Sequence, residues 1–149
     1  MKLITRALLF FLLVVSVKAF TQTSNNFIII DEIADNVQVL EKQFEGHDNV
    51  YKTKGIETLA IGQISKAIKG KDIKNLEIYV ATKPGAMVFS SAAITSQNVN
   101  QFSVELKEWK NAVSNNVIIY SDNVFSGENG MLLKQKIEEI TGLVFTTHK

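Results

Sequence analysis

The stretch that decides the fold is residues 116–142, NVIIYSDNVFSGENGMLLKQKIEEITG. Its apolar run at 117–120 is short and rich in β-branched residues, which predicts a strand buried inside a sheet. A polar elbow follows at 121–130, and 131–141 has the amphipathic pattern of a helix that ends at Gly142. A strand, an elbow and a helix in this order are typical of α/β proteins, in which ligands bind at the carboxyl ends of parallel strands.

The same alternation of elements continues through the rest of the chain. Short apolar runs predict further strands at 27–30, 49–52, 76–81, 86–90 and 143–146. Apolar residues at helical spacing predict further helices at 33–44, 55–69 and 98–113. This order predicts a single α/β domain at 27–147, a three-layer sandwich whose mainly parallel sheet is flanked by helices.

Composition excludes several classes of function. The chain has 149 residues, of which 46% are hydrophobic and 21% charged, as expected for one globular domain. Its net charge is only +1 and its basic residues are not clustered, so we expect no nucleic-acid partner. The chain has no cysteine, which excludes disulfides, thiolate metal sites and a cysteine nucleophile.

The first residues have the pattern of a leader. Residues 1–19, MKLITRALLFFLLVVSVKA, combine a basic start, an apolar run at 7–17 and small residues before a cleavage point after Ala19. The apolar run is shorter than the roughly 20 residues of a spanning helix, so we predict a signal peptide and no membrane span after cleavage. Residues 20–26 form a polar lead-in, and the mature protein is expected to be secreted or periplasmic.

Six polar residues follow predicted strands, at the edge where neighbouring carboxyl ends meet. They are Asp31, Glu32, Thr82, Ser121, Asp122 and Asn123. Oxygen ligands grouped in this way suit Mg²⁺ or Ca²⁺, and they also resemble a phosphoacceptor pocket. Acids at strand ends are more often solvated or cap the next helix, and we favour this interpretation over a cation site. The six residues are a candidate ligand crevice, with no metal and no cofactor expected.

The elbow also offers weaker candidates. Free N–H groups at 127–130, just before the predicted helix, could hold an anion. We favour a tight bend with Ser126 as the N-cap, because two glycines are far less specific than a phosphate-loop motif. Ser121 and Ser126 lack the G-x-S-x-G context of a serine hydrolase. Trp109 is expected in the core.

Two segments resemble a known family. Residues 120–130, YSDNVFSGENG, keep the Tyr, Asn-Val, Gly-Glu and final Gly of the family pattern Y-G-C-N-V-A-x-G-E-x-G, and 80–85, VATKPG, keep its Pro-Gly. The chain thereby resembles a bacterial domain of unknown function found near the N-terminus of large secreted surface and adhesin-like proteins. That domain is similar to the caspase-like cysteine peptidase fold.

The resemblance implies a fold without its catalytic dyad. The position of the catalytic His corresponds to Ala81 and that of the Cys to Asp122, so neither a thiolate nor its base is present. His47 and His148 are expected in a loop and in the C-terminal tail. We therefore expect an exported, non-catalytic binding or structural module, a pseudoenzyme whose partner is an unidentified cell-envelope protein or ligand. The alternative is a divalent-cation-dependent hydrolase or phosphate-handling enzyme that uses Asp122 and Asp31.

Overall fold

The computed structural model describes residues 25–55 and 58–149. The predicted signal peptide and the lead-in up to residue 24 lie outside the described residues. The elements in chain order are β1 (Asn26–Asp31), α1 (Val37–Gln43), β2 (Val50–Thr53), α2 (Ala60–Ile68), β3 (Ile73–Tyr79), β4 (Ala86–Val88), β5 (Ala93–Thr95), α3 (Ser103–Glu108), β6 (Val113–Tyr120), α4 (Gly127–Thr141) and β7 (Val144–His148). None of the described helices has the length and apolar character that crossing a membrane requires.

Five strands form one parallel sheet in the order β2-β1-β3-β6-β7, and β4 and β5 form a separate antiparallel hairpin. The chain moves from β1 to β2 in one direction and then crosses back toward β7. Because crossovers between parallel strands are right-handed, this reversal puts α1 on one face and α2, α3 and α4 on the other. The predicted α/β class with a mainly parallel, helix-flanked sheet is confirmed, although the layer on one face contains a single described helix.

The larger core lies between the sheet and α2, α3 and α4. Each central strand contributes its alternate residues, and those on β3 and β6 are fully buried: Leu76, Ile78, Val117 and Ile119. Trp109 is buried there as predicted, and its Nε1 donates a hydrogen bond of 2.8 Å to Ser65 Oγ. The indole therefore fills volume without leaving its polar group unpaired.

A smaller core lies on the α1 face. Ile28 and Ile30 of β1 pack with Ala34, and α1 covers them with Val37 and Leu40. Because Phe27 and Ile29 are buried on the other side, β1 is buried on both faces, as its unbroken apolar run predicted.

Two predicted helices were too long. The helix predicted at 33–44 begins only at Val37, because Asp31 accepts hydrogen bonds from the backbone N–H groups of Ile33 and Ala34 and forms a turn first. The helix predicted at 98–113 is α3 flanked by 3₁₀ turns at Val99–Phe102 and Trp109–Asn111.

The remaining boundaries were shifted. The segments predicted at 55–69, 76–81 and 86–90 correspond to the shorter or displaced α2, β3 and β4. β6 starts at Val113 rather than at 117, and β7 continues to His148. Helix α4 starts at Gly127, so the glycine pair forms its first turn instead of preceding it. A Cβ on Gly130 would lie 2.4 Å from the Phe125 carbonyl carbon, which is why this buried position needs glycine.

Candidate functional site

A crevice of about 440 Å³ opens at the carboxyl ends of the strands, and we call it the carboxyl-end crevice. Its lining includes residues that end or follow four neighbouring strands: Asp35 after β1, Tyr79 and Thr82 at β3, Ser121 and Asp122 after β6, and His148 on β7. The connections from β1 and β3 leave in opposite directions, so the crevice lies at the switch point where α/β sheets bind ligands.

Three aromatic rings form a row along one wall of this crevice. Tyr79, Tyr120 and His148 occupy matching register positions on β3, β6 and β7. The Tyr79 and Tyr120 ring centroids are 4.1 Å apart and nearly parallel, and His148 stacks on Tyr120 at 5.2 Å. Because the strands are parallel, equivalent positions on neighbouring strands lie side by side, and the three rings stack without help from a loop.

Both phenols of the aromatic row are neutral hydrogen-bonding groups. Burial raises the pKa of Tyr79, and the neighbouring Tyr120 and Glu77 raise it further. Burial likewise raises the pKa of Tyr120, with the Glu77 charge as the next cause. The two hydroxyls therefore stay protonated throughout the physiological pH range and can donate hydrogen bonds.

The rim opposite the rings is polar. Asp35 Oδ2 accepts a hydrogen bond of 2.9 Å from the Thr82 backbone N–H and another from the Thr82 hydroxyl. These bonds connect the loop after β1 to the loop after β3 across the switch point. Asp35 and Thr82 are exposed, so their remaining polar atoms are accessible to a ligand.

Ser121 is a buried polar residue of the crevice whose hydroxyl lacks a partner in the described chain. The residue is only 4% exposed, and its Oγ has no hydrogen-bond partner within the described chain. A buried hydroxyl that makes no hydrogen bond costs about 1–3 kcal/mol. The neighbouring Asp122 is exposed. Both residues line the crevice, so they lie next to any ligand that occupies it.

Three of the predicted crevice residues, Asp31, Glu32 and Asn123, are not in its lining. Asp31 is fully buried and accepts hydrogen bonds from Thr53 Oγ1 (2.6 Å) and from the Ser90 N–H (2.8 Å) and hydroxyl (3.2 Å). Glu32 Oε1 accepts the Gly55 N–H at 2.6 Å. Both carboxylates therefore hold the loops around β2 and β4, and they are not part of the crevice lining.

Asn123 acts through its backbone in the elbow. Its carbonyl oxygen accepts hydrogen bonds from the Gly85 N–H (3.2 Å), the Ser126 N–H (3.0 Å) and the Ser126 hydroxyl (2.7 Å). Ser126 occupies the N-cap position as predicted, but its side chain bonds to Asn123 and not to the helix. Gly85 has a positive φ of 73°, which a turn with glycine after proline requires.

The two positions that correspond to the His and Cys of the caspase-like dyad carry neither an imidazole nor a thiol. Ala81 is half-buried and pairs through its backbone with Val88 (3.2 Å), and the exposed Asp122 takes part in none of the side-chain hydrogen bonds found in the described chain. Between residues 25 and 149, leaving out 56 and 57, no group of three or more His, Cys, Asp or Glu side chains could hold a metal ion.

Three of the six predicted residues lie in this site. The crevice contains the predicted Thr82, Ser121 and Asp122, but Asp35, Tyr79, Tyr120 and His148 were not among the predicted residues. His148, expected in a tail, ends β7 instead. In the sequence, the sign of this row is that three strands each end in an aromatic ring. It can be recognised only when the register of the strands is known.

Comparison with known proteins identifies the family without adding a function. Neither a curated protein nor a solved structure matches the chain. The family described as "Domain of unknown function (DUF4347)" matches residues 27–148, which include nearly all of the described elements. Because this match covers far more than half of its length, the chain belongs to the DUF4347 family.

Proposed function

We propose that this chain is an exported, non-catalytic binding module that takes a small polar ligand in the carboxyl-end crevice. The observation that carries the proposal is the Ser121 hydroxyl, which is buried, without a partner in the described chain, and part of a crevice at the switch point of the sheet. A preformed concave site with a few convergent polar groups is the usual form of a small-molecule site.

The polar groups of the crevice favour an uncharged ligand such as a saccharide. Tyr79 and Tyr120 offer neutral phenols, Ser121 offers a donor and an acceptor, and Asp35 and Asp122 offer acceptors. A sugar carries hydroxyl groups that can donate hydrogen bonds to the acceptors and accept them from the donors. The lining carries two carboxylates, Asp35 and Asp122, against one ammonium group, Lys149, and this excess of negative charge disfavours a phosphate and the phosphate-handling alternative.

The absence of catalysis is supported by the residues at the strand ends. Ala81 and Asp122 follow β3 and β6, the neighbouring strands after which the resembled caspase-like fold needs its His and Cys. Neither side chain can form a thiolate or activate one. Asp31, which the hydrolase alternative requires, already accepts hydrogen bonds from Thr53 and Ser90 inside the protein.

Export is supported by the leader pattern at 1–19. We expect the protein recovered outside the cytoplasm to have lost these residues and to begin at Phe20. Intact mass measurement of the protein from the culture medium and from the periplasm tests this. A chain that keeps its first 19 residues and stays with the membrane fraction would contradict the proposal.

The ligand proposal is tested by screening the full chain on a glycan array and measuring the affinity of each hit by calorimetry. Ser121→Ala removes only the hydroxyl, and we expect affinity to fall about 5- to 10-fold for one lost hydrogen bond. Ser126→Ala is the matched control, because its hydroxyl bonds to the elbow outside the crevice. Binding that Ser121→Ala and Tyr120→Phe leave unchanged would place the ligand elsewhere.

A thermal-shift series with Ca²⁺, Mg²⁺ and Mn²⁺ against a chelator addresses the enzymatic alternative. A ligand that binds only the folded state raises the apparent stability, by about 2.7 kcal/mol at a hundredfold excess over Kd. Stabilisation by one cation that Asp122→Ala abolishes would favour the hydrolase and overturn the non-catalytic proposal. The same melting temperature with each cation and with the chelator agrees with a binding module.

A further inference from the structure

One part of the sheet is not covered by any described residue. On the α1 side, α1 packs over β1 and β2, whereas β3, β6 and β7 present their side chains outward. We call this area the open face. Below the aromatic row it consists of Asn75, Glu77, Asn116, Ile118, Val144 and Thr146, which are half-buried or exposed.

An all-parallel sheet with an open face is physically unusual. Sheets built only from parallel strands occur almost exclusively with both faces covered. The face is also poor in charge, because Glu77 is its single charged residue and it carries no Lys or Arg. Depletion of charged residues is typical of the core of an interface rather than of a solvated surface.

The open face is already ordered by its own hydrogen bonds. Asn75 Nδ2 donates to Asn26 Oδ1 (3.0 Å), and Asn115 Nδ2 donates to Asn75 Oδ1 (2.9 Å), so amides are linked across β1, β3 and β6. Asn26 Nδ2 donates to Glu77 Oε1 at 2.7 Å and fixes the carboxylate. Side chains that are held before binding lose less entropy when a partner docks.

The Glu77 carboxylate lacks an opposite charge. Among the described residues, no Lys, Arg or His forms an ion pair with it; the ion pairs found there are Lys52–Glu41 and Lys134–Glu138. Its charge also acts on Tyr79 and Tyr120, whose pKa values it helps to raise. A partner that covered the open face would remove Glu77 from water, and this is unfavourable unless the partner supplies a cation.

We propose that the open face is the docking surface for an amphipathic α-helix of a partner protein that carries a Lys or Arg opposite Glu77. The partner helix would pack beside α1 and complete the second helical layer of the sandwich. This interaction goes beyond the ligand proposed for the carboxyl-end crevice, because its contacts lie below the aromatic row.

The dimensions of the open face fit one helix. Three parallel strands at their usual spacing are about 10–14 Å wide, and an α-helix with its side chains is about 10–12 Å in diameter. Packed helices lie about 8–10 Å apart, which is two strand spacings, so a helix next to α1 over β1 would lie over β6. Ile118 on β6 would then be under its axis, and Glu77 on the neighbouring β3 would lie beside the axis.

A second copy of this chain fits the open face less well. A symmetric pairing of two open faces would bring Glu77 of each copy toward the other, and the face offers no basic residue to compensate. Like charges that are buried together are strongly unfavourable. Charge complementarity therefore favours a basic helix.

The test is a selection from a phage library of amphipathic helical peptides about 18 residues long, panned against the full 149-residue chain. We expect the enriched peptides to share one Lys or Arg in the centre of their apolar stripe. Synthetic versions should bind with affinities that fall at least about tenfold with Glu77→Gln, because a hydrogen bond to a charged group is lost. Glu139→Gln, on the exposed side of α4, is the matched control.

A second pair of variants tests the surface by adding a side chain rather than by removing a contact with the peptide. Thr146→Lys adds a bulky cation to the open face and should abolish binding, whereas Thr147→Lys, on the opposite side of β7, should not. All variants should melt within a few degrees of the original chain, since the changed residues are half-buried or exposed.

Four outcomes would overturn the proposal. The enriched peptides could bind equally well to the Thr146→Lys variant, or they could lack a shared basic residue. Alternatively, the chain could form dimers in sedimentation that Thr146→Lys dissolves, which would identify a second copy as the occupant. A selection with no enrichment would also count against a helix.

Discussion

Replacing Asp31 with alanine removes a fully buried carboxylate that connects β1 to β2 and to the loop after β4. The substitution leaves the N–H groups of Ser90 and Ile33 and the Thr53 hydroxyl without their acceptor. Each such loss costs about 1–3 kcal/mol, and the relieved desolvation of the charge offsets part of the sum. We therefore expect the free energy of unfolding to fall by about 3–5 kcal/mol.

Asp31→Asn separates hydrogen bonding from charge. Its remaining oxygen can still accept from the backbone N–H groups, and its amide can donate to the hydroxyls of Thr53 and Ser90, which can rotate to accept. We expect a smaller loss of about 1–2 kcal/mol. Urea unfolding followed by the fluorescence of the buried Trp109 measures both variants on the same scale.

A cost below about 1 kcal/mol for Asp31→Ala would show that the carboxylate does not hold these loops. A loss as large for Asp31→Asn as for the alanine variant would show that the hydrogen-bond exchange does not occur. Loss of a cation-dependent stabilisation in both variants would identify Asp31 as a metal ligand.

Three other changes have expected outcomes. Ile119→Ala, in the fully buried centre of β6, should lower the free energy of unfolding by about 2–5 kcal/mol in urea, and a cost below 1 would refute its place in the core. Gly130→Ala should be destabilising because its Cβ would overlap backbone, whereas Gly62→Ala in α2, with open space around it, should raise the melting temperature. Above pH 10, the ordinary tyrosine value, stability should fall as pH rises, because the folded state keeps Tyr79 and Tyr120 protonated at a raised pKa. The double variant Tyr79→Phe, Tyr120→Phe should lose less stability between pH 9 and 11.5. An equal loss in the variant would contradict the raised pKa values.

The sheet could be predicted from the sequence because burial leaves a local pattern. The run at 27–30 is apolar at every position, as a strand covered on both faces requires, and the structure buries all four residues. The run at 117–120 likewise predicted the centre of β6. These signals depend only on neighbouring residues, so a single sequence contains them.

The boundaries could not be predicted where an element is polar. β6 begins with Val113, but the following Ser114, Asn115 and Asn116 resemble a loop because they are partly solvent-facing and bond to other amides and carbonyls. α4 begins with Gly127, a residue of poor helix propensity that normally ends a helix. In both cases tertiary contacts override the local preference.

The candidate site was only partly predictable because its residues meet across strands. Ser121 and Asp122 follow an obvious strand, and strand ends are a general place for ligands. The partnership of Tyr79 with Tyr120 and His148 depends on the exact register of three strands separated widely in sequence. Hydrophobic periodicity does not specify which strand lies beside which.

The strand order has a consequence for the speed of folding. Every neighbouring pair in the five-stranded sheet joins segments roughly twenty to fifty positions apart, and the one local hairpin, β4 with β5, lies outside it. Chain entropy must therefore be lost over long loops before β1 and β3 gain contacts, which slows the search for the native state. Refolding should take milliseconds to seconds, and during that interval the apolar β1 remains unpaired and open to association with other chains.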